Sequence, residues 1–149
     1  MLPFPVAIHP GESPVRQVVF AASKAILAGV MRAGDAFPSV REISEELKLH
    51  PNTVQKVVQE LVREGFLVVR PGVGTVVTQG PKAPDDERRR ALRDSVEQIV
   101  VDARRLGLDC SALVDEVETT WVDVFGATRR TGTMDGRAPA GRRARGPKG

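Results

Sequence analysis

The sequence predicts a mostly helical protein that carries one small β-hairpin. Apolar residues recur at helical spacing in two short neighbouring segments, and two β-branched runs follow them around a glycine-rich turn. This order of helix, tight turn, helix and hairpin is typical of a winged helix-turn-helix domain. We expect that domain over residues 1–78, a linker over 79–84 and a short two-helix dimerisation region over 85–126.

The helix-turn-helix is predicted between residues 39 and 63. Ser39 can cap a helix, and Glu42 three residues later completes a capping box. A brief break leads to Pro51, whose missing N–H is harmless in the first turn of a second helix. That helix has an unbroken apolar stripe of Val54, Val57, Val58, Leu61 and Val62. Its other face is polar and holds Asn52, Thr53, Gln55, Lys56, Gln59 and Arg63.

One helix ahead of this pair and one hairpin behind it complete the predicted domain. Residues 14–29 form a bracing helix whose apolar side is Val15, Val18, Val19, Ala22, Ile26 and Leu27. Residues 66–70 and 75–78 predict the two strands, because Pro71, Gly72 and Gly74 supply a turn between them. The leading residues 4–9 fit either a short strand or an arm.

The polar face of the second helix suits DNA. Asn and Gln side chains can bond an adenine edge, Lys can reach guanine or phosphate, and a Thr methyl can touch a thymine methyl. An ordinary solvated helix face has a similar composition. The order of the elements favours the DNA interpretation, since a helix, a short turn, an amphipathic helix ending at Gly65 and a hairpin follow one another. His50 lies at the turn before the helix, where DNA contact or plain exposure is expected.

Five short motifs carry a family resemblance. They are a turn at Ala33-Gly34-Asp35, a helix start at Pro38-Ser39-Val40-Arg41-Glu42, a second start at Pro51-Asn52-Thr53-Val54, an exit at Glu60-Leu61-x-x-Glu64-Gly65 and a wing at Gly72-x-Gly74-Thr75. On these motifs, residues 14–77 resemble the DNA-binding head of the GntR family of bacterial transcription factors. The resemblance covers about half of the chain.

The resemblance implies DNA contacts from Arg41, from the opening of the recognition helix and from the wing backbone. With their neighbours, the candidate DNA-binding residues are Arg41, His50, Asn52, Thr53, Gln55, Lys56, Gly72, Gly74 and Thr75. The wing departs from the family pattern at Val73, where a Lys or Arg is frequent. A charged minor-groove contact from that position is therefore lost.

Residues 85–126 predict two helices with apolar stripes. The first stripe has coiled-coil-like spacing, and the second helix can be capped by Asp109 or Ser111. Such stripes rarely stay in water, which favours a homodimer over a hairpin folded back on its own head. The candidate dimerisation residues are Leu92, Val96, Ile99, Ala103, Leu106, Val117 and Trp121. A head followed by two helices is similar to the YtrA subfamily, and this resemblance implies dimerisation here and a role as a repressor.

Charge is distributed unevenly along the chain. Residues 1–84 carry 9 basic and 7 acidic side chains, residues 85–126 carry 6 and 11, and residues 127–149 carry 7 and 1. The last segment is rich in Gly, Pro and Arg with almost nothing to bury, which predicts a disordered basic tail. That tail is either an arm that adds affinity for nucleic acid through counterion release or a solubilising extension.

Other classes of function are disfavoured. The chain has two histidines, His9 and His50, and no metal-ligand spacing, so we expect no catalytic site, no metal and no cofactor. Its single cysteine, Cys110, is expected to be a small buried thiol. No apolar run is long enough for a membrane span and no secretory signal is evident, which predicts a cytoplasmic protein.

Three functions stay open on the sequence. The favoured one is a sequence-specific regulator that binds double-stranded DNA as a homodimer at a palindromic operator. The alternatives are an architectural or accessory DNA-binding protein with little sequence specificity, and a winged-helix adaptor for protein partners. The sequence indicates no pocket for a small-molecule effector.

Overall fold

The computed structural model describes residues 1–81 and 83–126. The predicted tail over 127–149 and Lys82 of the predicted linker lie outside the described residues. The elements are α1 (Pro14–Leu27), α2 (Val40–Leu47), α3 (Pro51–Arg63), β1 (Leu67–Arg70), β2 (Gly74–Val77), α4 (Asp85–Arg105) and α5 (Cys110–Phe125). The expected fold class, mostly helical with one β-hairpin in a winged helix-turn-helix, is confirmed.

The core of the head is the apolar face of α3 packed against α1 and α2. Val54, Val57 and Leu61 of α3 are completely inaccessible to solvent, as are Val18 of α1 and Ile43 of α2. Each of these side chains stabilises the fold by about 1.5–3 kcal/mol through burial. Because the buried residues of α3 recur every three or four positions, the opposite side of that helix must face outward.

Side-chain caps fix where the helices begin. Ser39 Oγ accepts a hydrogen bond of 3.1 Å from Glu42 N at the start of α2, as expected. The return bond from Glu42 to the Ser39 backbone, which would complete the capping box, is absent among the described residues. Asp109, one of the two candidates for the last cap, accepts a bond of 2.9 Å from Ala112 N at the start of α5.

Hydrogen bonds connect the wing to the end of α3 and to the segment that precedes α2. Gly65 (φ +85°) ends α3 in a left-handed conformation that favours glycine, and Phe66 N bonds Leu61 O at 2.9 Å across it. In the antiparallel pair, Leu67 lies opposite Val77 and Arg70 opposite Gly74. Residues 34–37 run along the outer side of β2, where Phe37 N donates to Thr75 O at 2.9 Å and Val77 N donates to Asp35 O at 2.9 Å. The hairpin is thereby held against the start of the helix-turn-helix.

The leading residues form an arm that packs on the head. Phe4 is buried and stacks on Phe37, with ring centroids 6.0 Å apart and an interplanar angle of 13°. Leu2 N donates to Glu46 Oε1 at 3.0 Å, and this bond holds the pKa of Glu46 below its usual value. Of the two possibilities left by the sequence, the arm is the one observed.

Helices α4 and α5 form a hairpin that is covered only near its turn. Residues 85–101 of α4 are all exposed, and burial begins at Asp102 and Ala103. Leu108 N bonds Ala103 O at 2.9 Å across the turn. On α5, Ala112 and Leu113 near the same turn are half-buried, whereas most of the helix is exposed. The two arms of the hairpin therefore leave most of their apolar faces uncovered by the described residues.

Four expectations about burial need correction. Cys110, expected to be buried, is exposed, because it lies on the outer side of the first turn of α5 while Ala112 and Leu113 of that turn are half-buried. Leu27 at the end of α1 and Val62 on the flank of α3 are exposed, since both lie at the edge of their apolar stripes. Ala103, assigned to the dimer seam, is only 6% exposed and packs within its own hairpin, so it offers a second copy almost no surface.

Within the described ranges, no helix combines the length and the apolar character that crossing a membrane requires.

Candidate nucleic-acid interface

The turn between α2 and α3 is held by one serine side chain. Lys48 ends α2 in a left-handed conformation (φ 54°), which is uncommon for a residue other than glycine. Ser44 Oγ donates to Leu49 O at 2.7 Å, and Leu49 N donates to Ser44 O at 3.2 Å. These two bonds fix the angle at which α3 leaves the turn. The role of Ser44 was not predicted from the sequence, because it depends on contacts five residues away.

His50 is the N-cap of α3. Its Nδ1 accepts a hydrogen bond of 3.1 Å from Asn52 N, and its backbone oxygen accepts one of 2.9 Å from Thr53 N. An imidazole that accepts through Nδ1 carries its proton on Nε2 when neutral. The exposed ring therefore presents a single N–H donor at the positive end of the helix dipole. The sequence placed His50 near DNA and did not anticipate this cap.

The first two turns of α3 expose the predicted polar face. Asn52, Gln55 and Lys56 are exposed, and Thr53 is half-buried. Asn52 and Lys56 are four residues apart and thus neighbours on one side of the helix, with Gln55 beside them. The structure brings these four candidates together on one continuous surface at the N-terminal end of α3.

Lys56 and Arg63 differ in whether they form an ion pair. Arg63 makes an ion pair with Glu60, and the hydrogen bond from Arg63 is the main cause of the lowered pKa of Glu60. The Lys56 ammonium, by contrast, has no ion-pair partner among residues 1–81 and 83–126. Lys56 is therefore the available cation on this helix.

Arg41 lies in the first turn of α2 and forms an ion pair with Glu45 on the surface. Its Nε is 3.0 Å from Glu45 Oε1, and 86% of its side chain is exposed. An exposed pair of this kind contributes at most about 1 kcal/mol, so a phosphate can replace the carboxylate at little cost. The guanidinium also keeps donors that this pair leaves unused.

The wing tip is open backbone. Gly72 (φ +75°) and Gly74 (φ +106°) have conformations that side chains rarely adopt, and no atom lies within 4 Å of a Cβ placed at either residue. The positive φ angles therefore favour glycine at both positions, and the space beside each Cα is open. Thr75 is half-buried, and its carbonyl is bonded to Phe37 N, so it positions the wing more than it presents a side chain.

Arg70 is a candidate that the sequence analysis missed. It ends β1 opposite Gly74, is exposed, and makes no ion pair within the described chain. Val73 at the tip is also exposed but uncharged. Arg70 O accepts a hydrogen bond of 3.1 Å from Val73 N, which fixes the backbone that carries the Arg70 side chain. Its position three residues before Val73 could have identified it, since the wing otherwise has no cation.

No grouping of three or more His, Cys, Asp or Glu side chains suited to a metal ion occurs in the described ranges.

A capped helix with a polar outer face, supported by a second helix and flanked by an open hairpin, defines a winged helix-turn-helix of the DNA-binding class. The family model for bacterial regulatory proteins of the gntR family matches residues 14–77. The chain is also 30% identical over 114 residues to the HTH-type transcriptional repressor YtrA of Bacillus subtilis, covering 76% of this chain and 88% of that protein. The chain belongs to the GntR family, whose members are transcription regulators and not enzymes.

Solved structures show the same fold. A transcriptional antiterminator from Listeria monocytogenes EGD-e matches 85% of this chain and 96% of its own, with a TM-score of 0.71 and 23% identity. YtrA from Sulfolobus acidocaldarius, a GntR-family transcription factor, matches 62% of this chain and 97% of its own, with a TM-score of 0.50 and 26% identity. The resemblance to the YtrA type expected from the sequence is confirmed.

His50→Ala is expected to destabilise the protein by about 1 kcal/mol, because the first turn of α3 loses its cap. His50→Asn keeps an acceptor at the same position and should retain most of that stability. Chemical denaturation of the two variants and the wild type measures both effects. Equal stability of all three proteins would show that the His50 bond contributes nothing to the helix.

Arg70→Ala is expected to weaken DNA binding and to reduce the slope of log K against log salt by about one, as for the loss of one phosphate contact. Adding Val73→Lys to Arg70→Ala should restore affinity, because the charge returns to the wing three residues away. Fluorescence anisotropy over a salt series measures this, with Arg16→Ala on α1 as a control for the loss of one exposed arginine. An unchanged slope in Arg70→Ala would contradict a wing phosphate contact.

Proposed function

We propose that this protein is a homodimeric transcriptional repressor that binds a palindromic operator in double-stranded DNA. The observation that carries the proposal is the outward polar surface at the N-terminal end of α3, held in place by the buried face of the same helix. The regulator function belongs to the family. Repression is suggested by YtrA of Bacillus subtilis, which is named as a repressor.

Base recognition is assigned to α3. A recognition helix contacts bases with the residues of its first turns, and here those turns hold an amide, a hydroxyl, a second amide and a cation in Asn52, Thr53, Gln55 and Lys56. The side of α3 that packs against α1 is closed, so DNA can approach only the polar side. Arg41 on α2 and Arg70 on the wing flank this surface and supply phosphate contacts.

Dimerisation is assigned to α4 and α5. The exposed apolar residues of the proposed seam are Leu92, Val96 and Ile99 on α4, Leu106 directly after α4, and Val117 and Trp121 on α5. Trp121 packs its ring on Phe125, with centroids 5.2 Å apart, which places two aromatic rings in one exposed patch. Exposed apolar side chains in this number are unfavourable in water, and a second copy can cover them. Ala103 supports the turn instead of the interface.

Two-fold symmetry links these two assignments. A symmetric dimer presents two copies of α3 in opposite orientations, so its binding site must consist of two inverted half-sites. Their centres are expected about one or more helical turns of DNA apart, roughly 34 Å or a multiple of it. An architectural protein that contacted only phosphates would show no such pattern.

The deciding experiment is selection of bound duplexes from a random DNA pool by the full-length protein. We expect enrichment of sequences with two inverted half-sites, bound at least about 1000-fold more tightly than scrambled duplexes at physiological salt. Selected duplexes that bind no better than scrambled ones would favour the architectural alternative. A complete lack of DNA binding would favour the adaptor.

Asn52→Ala and Lys56→Ala are each expected to cost about 1 to 3 kcal/mol on the selected operator if the side chain makes a bidentate base contact. Preference should relax at one position of each half-site, while binding to scrambled DNA changes less. Anisotropy titrations on both duplexes measure this, with Arg16→Ala as the matched control. Equal losses on both duplexes would make these residues phosphate contacts.

Ile99→Glu is expected to shift the protein from dimer toward monomer, because it places a charge in the proposed seam while the head stays folded. Val101→Glu is the matched control, since Val101 is also exposed but lies on another side of α4. Sedimentation equilibrium measures the mass, and circular dichroism checks the helices. A wild type that is monomeric at micromolar concentration would contradict the proposed dimer.

A further inference from the structure

A cavity of about 530 Å³ lies between the arm, one side of α1 and the end of α5. Its size falls within the range typical of small-molecule sites, about 300–1000 Å³. Its walls are largely apolar and include Pro5, Val6, Phe20, Ala21, Ala28 and Val124. It is separate from the DNA-facing side of α3, because none of the candidate DNA-binding residues lines it.

The cavity has one cation available at its edge. Lys24 lies in the last turn of α1, is exposed, and makes no ion pair in the part of the chain that the structure describes. Three further polar residues line the cavity, His9, Glu12 and Gln17. Gln17 uses its side-chain amide on the backbone of His9, accepting at 2.8 Å and donating at 3.1 Å. Glu12 precedes α1, whereas Lys24 lies in its last turn, about 15 Å along the helix axis from the first helical residue.

These features select a class of ligand. An unpaired ammonium beside an apolar wall favours an anion with a hydrocarbon body, because the charge is neutralised and the chain leaves water. We propose that this cavity binds a small aliphatic carboxylic acid, with its carboxylate on Lys24 and its chain between Phe20 and Val124. This inference goes beyond the proposed operator binding and does not depend on it.

A ligand in this cavity would contact two parts of the molecule at once. The arm, α1 and α5 all contribute walls, so a bound molecule joins the head to the end of the second hairpin helix. Trp121 lies one turn before Val124 and is the single tryptophan of the chain. Its fluorescence therefore reports on changes at the end of α5 when the cavity is filled.

The test is a titration of the full-length protein with octanoate in the absence of DNA, followed by calorimetry and by Trp121 fluorescence. We expect saturable binding of one octanoate per chain. Lys24→Gln should weaken it by about tenfold or more, as for loss of a charged hydrogen-bond partner, whereas Lys24→Arg should retain it. Ala28→Phe should abolish it by filling the apolar part of the cavity, and denaturation of this variant checks that it stays folded.

Two controls separate the site from general hydrophobic uptake. Octan-1-ol, which has the same chain without the charge, should bind at least about tenfold more weakly than octanoate. Lys48→Gln removes a different exposed lysine and should leave octanoate binding unchanged. The proposal is overturned if no saturable binding is found up to about 10 mM octanoate, a concentration far above the Kd expected of a small-molecule site. It is equally overturned if Lys24→Gln binds octanoate as tightly as the wild type.

Discussion

The burial of one face of α3 is the constraint on which the rest of the molecule depends. Val54, Val57 and Leu61 can leave water only if α1 and α2 pack on the same side of the helix. That packing determines which residues of α3 remain outside, and these are the amides, the hydroxyl and the lysine of its first turns. A change that loosened the buried stripe would therefore displace the proposed DNA-binding face without altering any side chain on it.

Rigidity at the N-terminal end of α3 comes from short-range polar contacts. The left-handed Lys48 sets the turn, Ser44 bonds across it, and His50 caps the helix that follows. The wing is anchored through the hydrogen bonds of the segment 34–37 to β2 and through the bond from the Thr78 hydroxyl to Gly65 O. Helix α3 and the wing are consequently parts of one packed unit, which would pre-organise the proposed DNA-binding surface.

The elements were predictable from the sequence because periodicity is a local property. The stripe of α3, the Ser39 cap and the turn around Gly72 each involve residues a few positions apart. Contacts between distant segments were not predictable in this way. The packing of Phe4 on Phe37 and the exposure of Leu27, Val62 and Cys110 depend on which elements meet, as does the burial of Ala103. The candidate site shows the same division, since the face of α3 follows from spacing whereas the roles of Ser44 and Arg70 follow from the assembled turn and hairpin.

The described chain leaves two kinds of surface uncovered, the polar face of α3 and the apolar faces of α4 and α5. Hydrogen–deuterium exchange of the full-length protein, with and without its selected DNA, distinguishes their roles most directly. Our account predicts slower exchange on DNA binding at residues 50–56 and 70–75, with no change at residues 17–25 of α1. Protection confined to residues 85–126, with residues 50–56 unaffected, would contradict the assignment of DNA recognition to α3.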